Sequence, residues 1–527
     1  MSSNGGDENG EANLRQEFVH VPPGKFYLKR SIAEASIEQD EHESAKLRAR
    51  RIFSVAEMIG VGDKDFLHVG YTGVDAFEAF QRDFVKFSSV KCALIFYLNA
   101  SLHVSSRNTN AMRLLCYNSS LPALVFHDAL VPVANIFEKN QYSPLLYVYL
   151  CHQFARTANS TSNRAVLSEL WIDPSDGSLH SGPRVTMDIG TNWVVSLKNE
   201  NKLMTDQQSS LAINVYRDEQ AVFDFLSRHL ETRPLFKGIC LAIKVVDQWV
   251  PIPIEDVLLV LSLDTRTIYR RSTLAAVARI CAAKESQPYL YKVMGLPAAV
   301  QKSKVITEDG FIRFTFQPQD INVLDTFSLR YTLISQEALA AITETWLSQA
   351  HGVFKQLGFQ SGESTEDYSL PGMFRLYLHR ETNDTAAYRT LDQPIHLFIS
   401  PIPHLRAYWS SDAQGKEELS HELRSVLGLP TFSFSARFMW ISWDRRVYDA
   451  VQKLQIRNGF DATTTDFAES LGYTPLQVVY HHDRFHEVQG EVECPVTEDP
   501  TSLVAVGSKD KFNIDTRRHT TKRKAML

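Results

Sequence analysis

The sequence predicts an α/β to α+β protein. A mixed-sheet N-terminal region with a βαβ unit is followed by an α+β region with a mainly antiparallel sheet. Three observations carry this expectation. The apolar run Ala93–Leu98 has the continuous character of a strand buried on both faces. Strand, helix and strand signals succeed one another at βαβ spacing between Leu211 and Val246. Strict alternation over Phe327–Leu333 marks a sheet with one wet face. The composition agrees: 44% hydrophobic and 22% charged residues in a chain of 527 suit a globular protein of two or three domains.

Residues 1–22, rich in Gly, Asn, Asp and Glu, read as a disordered tail. Residues 23–62 read as an N-terminal helical segment. Within it, 33–58 forms a helix, with Lys46, Arg48, Arg50 and Arg51 on a solvated, charged face. An α/β domain is expected over 63–300. Ala93–Leu98 and Leu211–Tyr216 are its first strands. Asp218 then caps a helix over Glu219–Glu231, whose Val222, Phe225, Leu226 and Leu230 share one face. Lys237–Val246, beyond the breaker Pro234, is the strand that closes the βαβ unit. Ile254–Leu263 and Ser272–Lys284 read as two helices in a helix–turn–helix-like pair, flanked by Arg266, Arg270, Arg271 and Arg279.

Breaker residues between 295 and 310 set the boundary with an α+β domain, 301–489. After the strand at Phe327–Leu333, Ser335 caps a long helix with Trp346 at the centre of its apolar stripe. Gly358 ends that helix in the favoured C′ position. A polar loop over 359–372 leads to strands near 374–379, 395–399 and 437–443, interleaved with helices near 416–427 and 444–458. Residues 490–527 lose all periodicity and read as a second disordered tail with a basic end.

Composition excludes several classes. Fifty-five Lys and Arg against 61 Asp and Glu give a net charge of −6. The chain is therefore not basic overall, although a local basic patch is not excluded. Six cysteines without a CxxC pair argue against a disulfide framework and a thiolate zinc site, and for a reducing compartment. Met1–Asn13 has no apolar core of a secretory signal. The longest apolar stretches fall far short of the ~18 residues that span a bilayer. The expectation is a soluble intracellular protein, cytoplasmic and/or nuclear, without a membrane partner. Twenty-four glycines lie below the usual ~7%, and no phosphate-cradling GxxxxGK[ST] loop is present, so no cofactor is expected.

The sharpest chemical motif is Val185-Thr186-Met187-Asp188-Ile189-Gly190-Thr191-Asn192-Trp193-Val194-Val195. It resembles the first phosphate motif of the actin, heat-shock ATPase and sugar-kinase superfamily: an apolar strand, DxGT, then a second strand. The resemblance implies that Asp188 organises metal and water and that the Gly190–Thr191 turn reaches nucleotide phosphates. The family's second phosphate motif, DxGG, and its Gly-Gly adenosine loop are missing downstream. The alternative is a hairpin whose Asp188 and Gly190 satisfy the turn.

His482 and His486 stand at i, i+4, a spacing that can chelate a metal if that segment is helical, but Asp483 does not complete the set. A solvated, pH-sensitive segment is the other reading. Cys151-His152 reads as a core cysteine beside a surface histidine. Arg517, Arg518, Lys522, Arg523 and Lys524 put five charges into eight residues, as nuclear-import signals and phosphate contacts do. The segment Gly459–Tyr473 resembles proteins of mushroom-forming fungi to which no activity is assigned. The functional expectation is a non-catalytic macromolecular binding protein. A protein is the first partner expected, and nucleic acid, through the basic tail, the second. The enzyme rival is an ATP-dependent phosphotransferase or ATPase built on Asp188.

Overall fold

The computed structural model describes residues 18–37, 47–95, 111–157, 164–187, 193–196, 210–242, 249–281, 289–322, 324–359, 363–381, 393–400 and 405–479. Helices and strands are mixed throughout, as an α/β to α+β chain requires. The first sheet comprises β1 (Val19–His20), β2 (Phe26–Ser36), β3 (Ala49–Met58), β4 (Asp65–Gly73), β5 (Leu114–Asn118) and β6 (Ala123–Phe126), in the order β1-β5-β6-β4-β3-β2. It is a mixed sheet: β1 pairs in parallel with β5, and the other pairs are antiparallel. The helix Ala76–Ile95 lies on it, with Phe80, Phe84 and Phe87 buried against Tyr117 and Phe126.

Two expectations are corrected here. Where they are described, residues 33–58 are not helical but belong chiefly to β2 and β3, where β-branched and aromatic residues such as Ile52, Phe53 and Val55 sit on a pleated surface. Arg51 is not on a solvated face. It is buried, and its Nε and Nη2 donate to the Asp83 carboxylate at 2.6 and 3.0 Å, beside a 2.7 Å bond from the Tyr71 hydroxyl. The run Ala93–Leu98 is not a strand where it is described, because Ala93–Ile95 form the last turn of the helix. A short apolar run does not by itself separate buried strand from buried helix.

Three short strands, β7 (Val131–Pro132), β9 (Leu170–Ile172) and β10 (Leu179–Ser181), form a second sheet, and β8 (Arg164–Val166) pairs with β11 (Val194–Ser196). Where it is described, the expected βαβ unit is instead helical. Ile213–Arg217 is a 3-10 turn, Asp218 caps the helix Glu219–His229 through the amides of Gln220 and Ala221, and Thr232–Leu241 is a second helix. Pro234 falls in that helix's first turn, where the backbone needs no intrahelical N–H donor, so it does not break the chain.

The large sheet contains β12 (Trp249–Ile252), β13 (Thr267–Arg270), β14 (Ala275–Arg279), β15 (Tyr289–Met294), β18 (Phe327–Thr332), β19 (Tyr368–Arg380), β22 (Phe432–Ser442) and β23 (Gln477–Val478). A four-stranded sheet of β16 (Val305–Ile306), β17 (Ile312–Phe316), β20 (Ile395–Ile399) and β21 (Ala407–Ser410) packs against it. The predicted helix over Ser272–Lys284 is, where described, the strand β14, paired in a hairpin with β13. Strands from both sides of residue 300 thus share one sheet, and both main cores mix residues from before and after it. The expected division near 300 does not separate two cores.

Ser335 caps its helix by accepting from Ala338 N–H, but the helix is interrupted: Gln336–Leu347 and Ala350–Gln356 are separate. Between them Gln349 turns its side chain to Thr345 and Thr474 carbonyls and to the Leu476 amide. Gly358, at φ +66°, closes the second helix. Its N–H bonds the Lys355 carbonyl while Phe359 N–H reaches back to Phe354, whose ring Phe359 also stacks upon. The polar loop is shorter than expected, since Tyr368–Gly372 already belong to β19.

Candidate polyanion-binding face

The strands β19 and β22 are long, and each works on both faces. Near one end Leu370, Met439 and Ile441 pack under the helices around Trp346 and Tyr448. Near the other end, Phe374, Leu376, Leu378, Ala436 and Phe438 pack the opposite way, against the four-stranded sheet. Because side chains alternate along a strand, burying Phe374, Leu376 and Leu378 on one side forces Arg375, Tyr377 and His379 to the other. The same logic turns Ser433, Ser435 and Arg437 outward from β22, and Arg330 from β18. Ser433, Ser435 and Arg437 are exposed there.

Register then aligns the charges. Lys292 on β15 pairs with Arg330 on β18, Arg330 with Arg375 on β19, Arg375 with Arg437 on β22, and Arg437 with Pro251 on β12. Four cations therefore stand directly opposite one another across four neighbouring strands, a row of about 15 Å at the ~4.8 Å strand spacing. A register shift between Leu290 and Lys292 helps to make the row. Such a bulge adds a residue to one strand and re-aims the side chain that follows.

Like charges placed opposite each other on a sheet are destabilising. Among the described residues, no carboxylate lies in salt-bridge range of Lys292, Arg375 or Arg437. Aromatic and sulfur groups hold the guanidiniums instead. Arg375 and Arg330 lie 4.5 and 5.6 Å from the Trp249 ring, and Arg437 lies 5.7 Å from Tyr377. Arg375 Nη1 donates to the Tyr377 hydroxyl at 3.1 Å, and Arg330 Nη2 lies 2.7 Å from Met373 Sδ. The rings of Tyr377 and His379 lie parallel, 5.9 Å apart. Contacts of this kind orient a cation without neutralising it.

The arginines singled out beside the supposed helix pair make the contrast. Arg266 and Arg279 both bind Asp264, and Arg270 binds Glu363 and Asp367. Burial opposes ionisation of Asp264, yet the Arg266 hydrogen bonds and the two guanidinium charges hold its carboxyl below the usual range. These cations are compensated within the protein; the first expected helix is present over Ile254–Leu261, but a β-hairpin stands in place of the second.

Most of the other sequence candidates cannot be placed relative to this face because they fall outside the described residues. Asp188, Gly190, Thr191, His482, His486, Arg517, Arg518, Lys522, Arg523 and Lys524 lie outside the described residues. The lead-in to the Asp188 motif is not a strand: Val185 is buried and bonds the Ser168 carbonyl, while Val194–Ser196 pairs with β8. The reading of Cys151-His152 is reversed. Cys151 is half-buried and His152 is buried, its imidazole pushed down to about 4, chiefly by burial and then by Arg156 and His229. Sequence reasoning missed the basic row, although Phe374-Arg375-Leu376-Tyr377-Leu378-His379 and Ala436-Arg437-Phe438 carry the apolar–polar alternation that exposes it.

No protein-family model matches the chain, and no curated protein matches it. Among the described residues no helix is long and apolar enough to cross a membrane, and no cluster of side chains has the composition of a metal site.

Proposed function

We propose that this protein is a non-catalytic binding protein whose partner is a single-stranded nucleic acid laid across the basic, partly exposed face of β15, β18, β19 and β22. The observation that carries the reading is the register row Lys292, Arg330, Arg375 and Arg437. In a chain with more acids than bases, four adjacent cations without carboxylate partners on the three named above would be unfavourable unless an anion neutralised them. A pleated face that interleaves cations with Trp249, Tyr377 and His379 suits a flexible strand: phosphates meet the guanidiniums and unstacked bases meet aromatic edges and faces. A duplex, whose grooves admit a helix or a narrow ribbon, offers this broad face less contact.

The test is fluorescence anisotropy of a labelled single-stranded oligonucleotide against the full chain, over a range of salt. Four neutralised phosphates give a slope of log K against log salt of about −2.8. Absence of binding at low salt, or binding indifferent to Arg375→Ala and Arg437→Ala, defeats the reading.

A further inference from the structure

A cavity of about 390 Å³ opens far from the basic row in the chain, where the first sheet meets the three-stranded sheet β7–β9–β10. Its volume falls within the range of small-molecule sites. Lys64, Arg113, His127, Asp128 and His180 line it, over an apolar floor that includes Met112. These groups come from four separate segments, so only the folded chain assembles them.

The frame around the cavity is tightly built. Met112 N–H donates to the Ser181 carbonyl at 2.9 Å, and Ala111 bridges Ser181, which sews the two sheets together at the cavity wall. Next to this seam Gly182 passes so close to Trp171 that a Cβ there would fall 2.6 Å from the indole and onto the Met112 sulfur. The Trp171 indole N–H is itself fixed to the Pro183 carbonyl at 3.0 Å. The His127 amide bonds the Arg113 carbonyl at 3.1 Å, which holds the two cavity strands in step.

The charges do not balance. Lys64 Nζ lies 3.1 Å from Asp128 Oδ1, so that pair sums to zero. Arg113 has no carboxylate in salt-bridge range among the described residues, so its guanidinium is the unpaired cation of the lining, with Asp173 and Asp176 acting on the neighbouring His180 from outside the lining. His180 is hydrogen-bonded through Nε2 to the Ser178 hydroxyl at 2.9 Å. Burial holds this imidazole below its usual range, against the pull of Asp173, Asp176 and Asp128 and with the help of Arg113. With Nε2 engaged by Ser178, the neutral imidazole has Nδ1 left to donate or accept, and Asp128 offers acceptors.

We propose that this cavity binds a small polyhydroxylated anion, with Arg113 and Lys64 holding its oxyanion and Asp128, His127 and His180 hydrogen-bonding its hydroxyls. The oxyanion is the shared chemistry of two sources, a sugar carboxylate and a sugar phosphate. The site stands apart from the basic row and does not depend on the nucleic-acid reading.

Isothermal titration of the full chain with glucuronate, glucose 6-phosphate and glucose tests it. At least one of the two anions binds, glucose binds at least tenfold more weakly, and the stronger anion identifies the source. Arg113→Ala removes an exposed side chain, so it should leave the thermal midpoint unchanged while weakening the anion at least tenfold. Lys64→Ala should weaken it as well. Failure of both anions at millimolar concentration, equal binding of glucose, or full affinity in Arg113→Ala overturns the proposal.

Discussion

Removing the two exposed ends of the basic row, in the double variant Lys292→Ala/Arg437→Ala, separates a binding role from a structural one. Each wild-type cation that meets a phosphate of a single strand contributes about −0.7 to the slope of log K against log salt. Four give about −2.8, so raising salt from 50 to 200 mM should weaken wild-type binding by roughly 50-fold. With two cations the slope becomes about −1.4, and the same change should cost only roughly sevenfold. Stability should move little. Relieving the Lys292–Arg330 and Arg375–Arg437 oppositions contributes about 0.2–1 kcal/mol each, while losing the Arg437–Tyr377 contact costs about 0.5–1 kcal/mol. The variant should therefore unfold within about 1 kcal/mol of the wild type. Anisotropy at four or five salt concentrations, paired with a urea melt, reads both quantities. A wild-type slope retained by the variant would refute the reasoning. So would a loss of binding that merely tracks a large loss of stability, since the row would then be holding the sheet rather than a ligand.

Three further outcomes follow from the packing and the electrostatics. Trp346 is fully buried and donates from Nε1 to the Tyr448 hydroxyl at 3.1 Å, so Trp346→Ala should cost about 3–5 kcal/mol in a chemical melt; an unchanged midpoint would contradict the core described here. His152 is held near 4 in the folded chain against an ordinary 6.5. Above pH 6.5 both states are neutral there and its full contribution is present; as pH falls from 6.5 towards 4 the unfolded chain takes up the proton first, and about 3 kcal/mol is lost. His152→Gln should flatten that part of the stability–pH curve, and a curve that keeps its slope would assign the loss elsewhere, with His68, also pushed down to about 4 by burial, the next group to replace. At Gly358 a Cβ would meet open space, so Gly358→Ala should cost only the backbone strain of φ +66°, about 1 kcal/mol, and a cost several times larger would show a contact that the geometry does not contain.

Legibility in the sequence followed the range of the interactions involved. Local devices were readable: the Asp218 and Ser335 caps, the Gly358 terminus and the strand over 395–399 each depend on a few consecutive residues. The described part of the run Lys237–Val246 is helical through Leu241 rather than a strand, because an apolar stretch next to a proline suits either a strand or the start of a helix, and packing against the core decided for the helix. Ser328 and Thr332 showed the limit of alternation: they point away from the apolar face, as expected, yet both are buried. The basic row lay beyond a single-strand reading for a different reason. Its members are up to 145 positions apart in the chain, from Lys292 to Arg437, and only the pairing register, with its irregularity before Lys292, brings them into line. One strand discloses which way Arg375 points, but not that Arg330 and Arg437 stand beside it.

The two-sided strands β19 and β22 also govern how the protein can be divided. The same pair is the wall of the helical core at one end and of the small sheet at the other. Neither layer owns it. A gene cut near codon 300 would hand the whole wall to the C-terminal product and strip Ile268, Val277 and the helix Thr232–Leu241 of the C-terminal strands and helices they pack against, while that product would lack β12, β13 and β14 along its flank. Shared ownership of a central wall ties the fates of both layers together, so loss of either exposes apolar surface in the other. New sequence is better inserted at the rim of a layer than grafted as an exchangeable half.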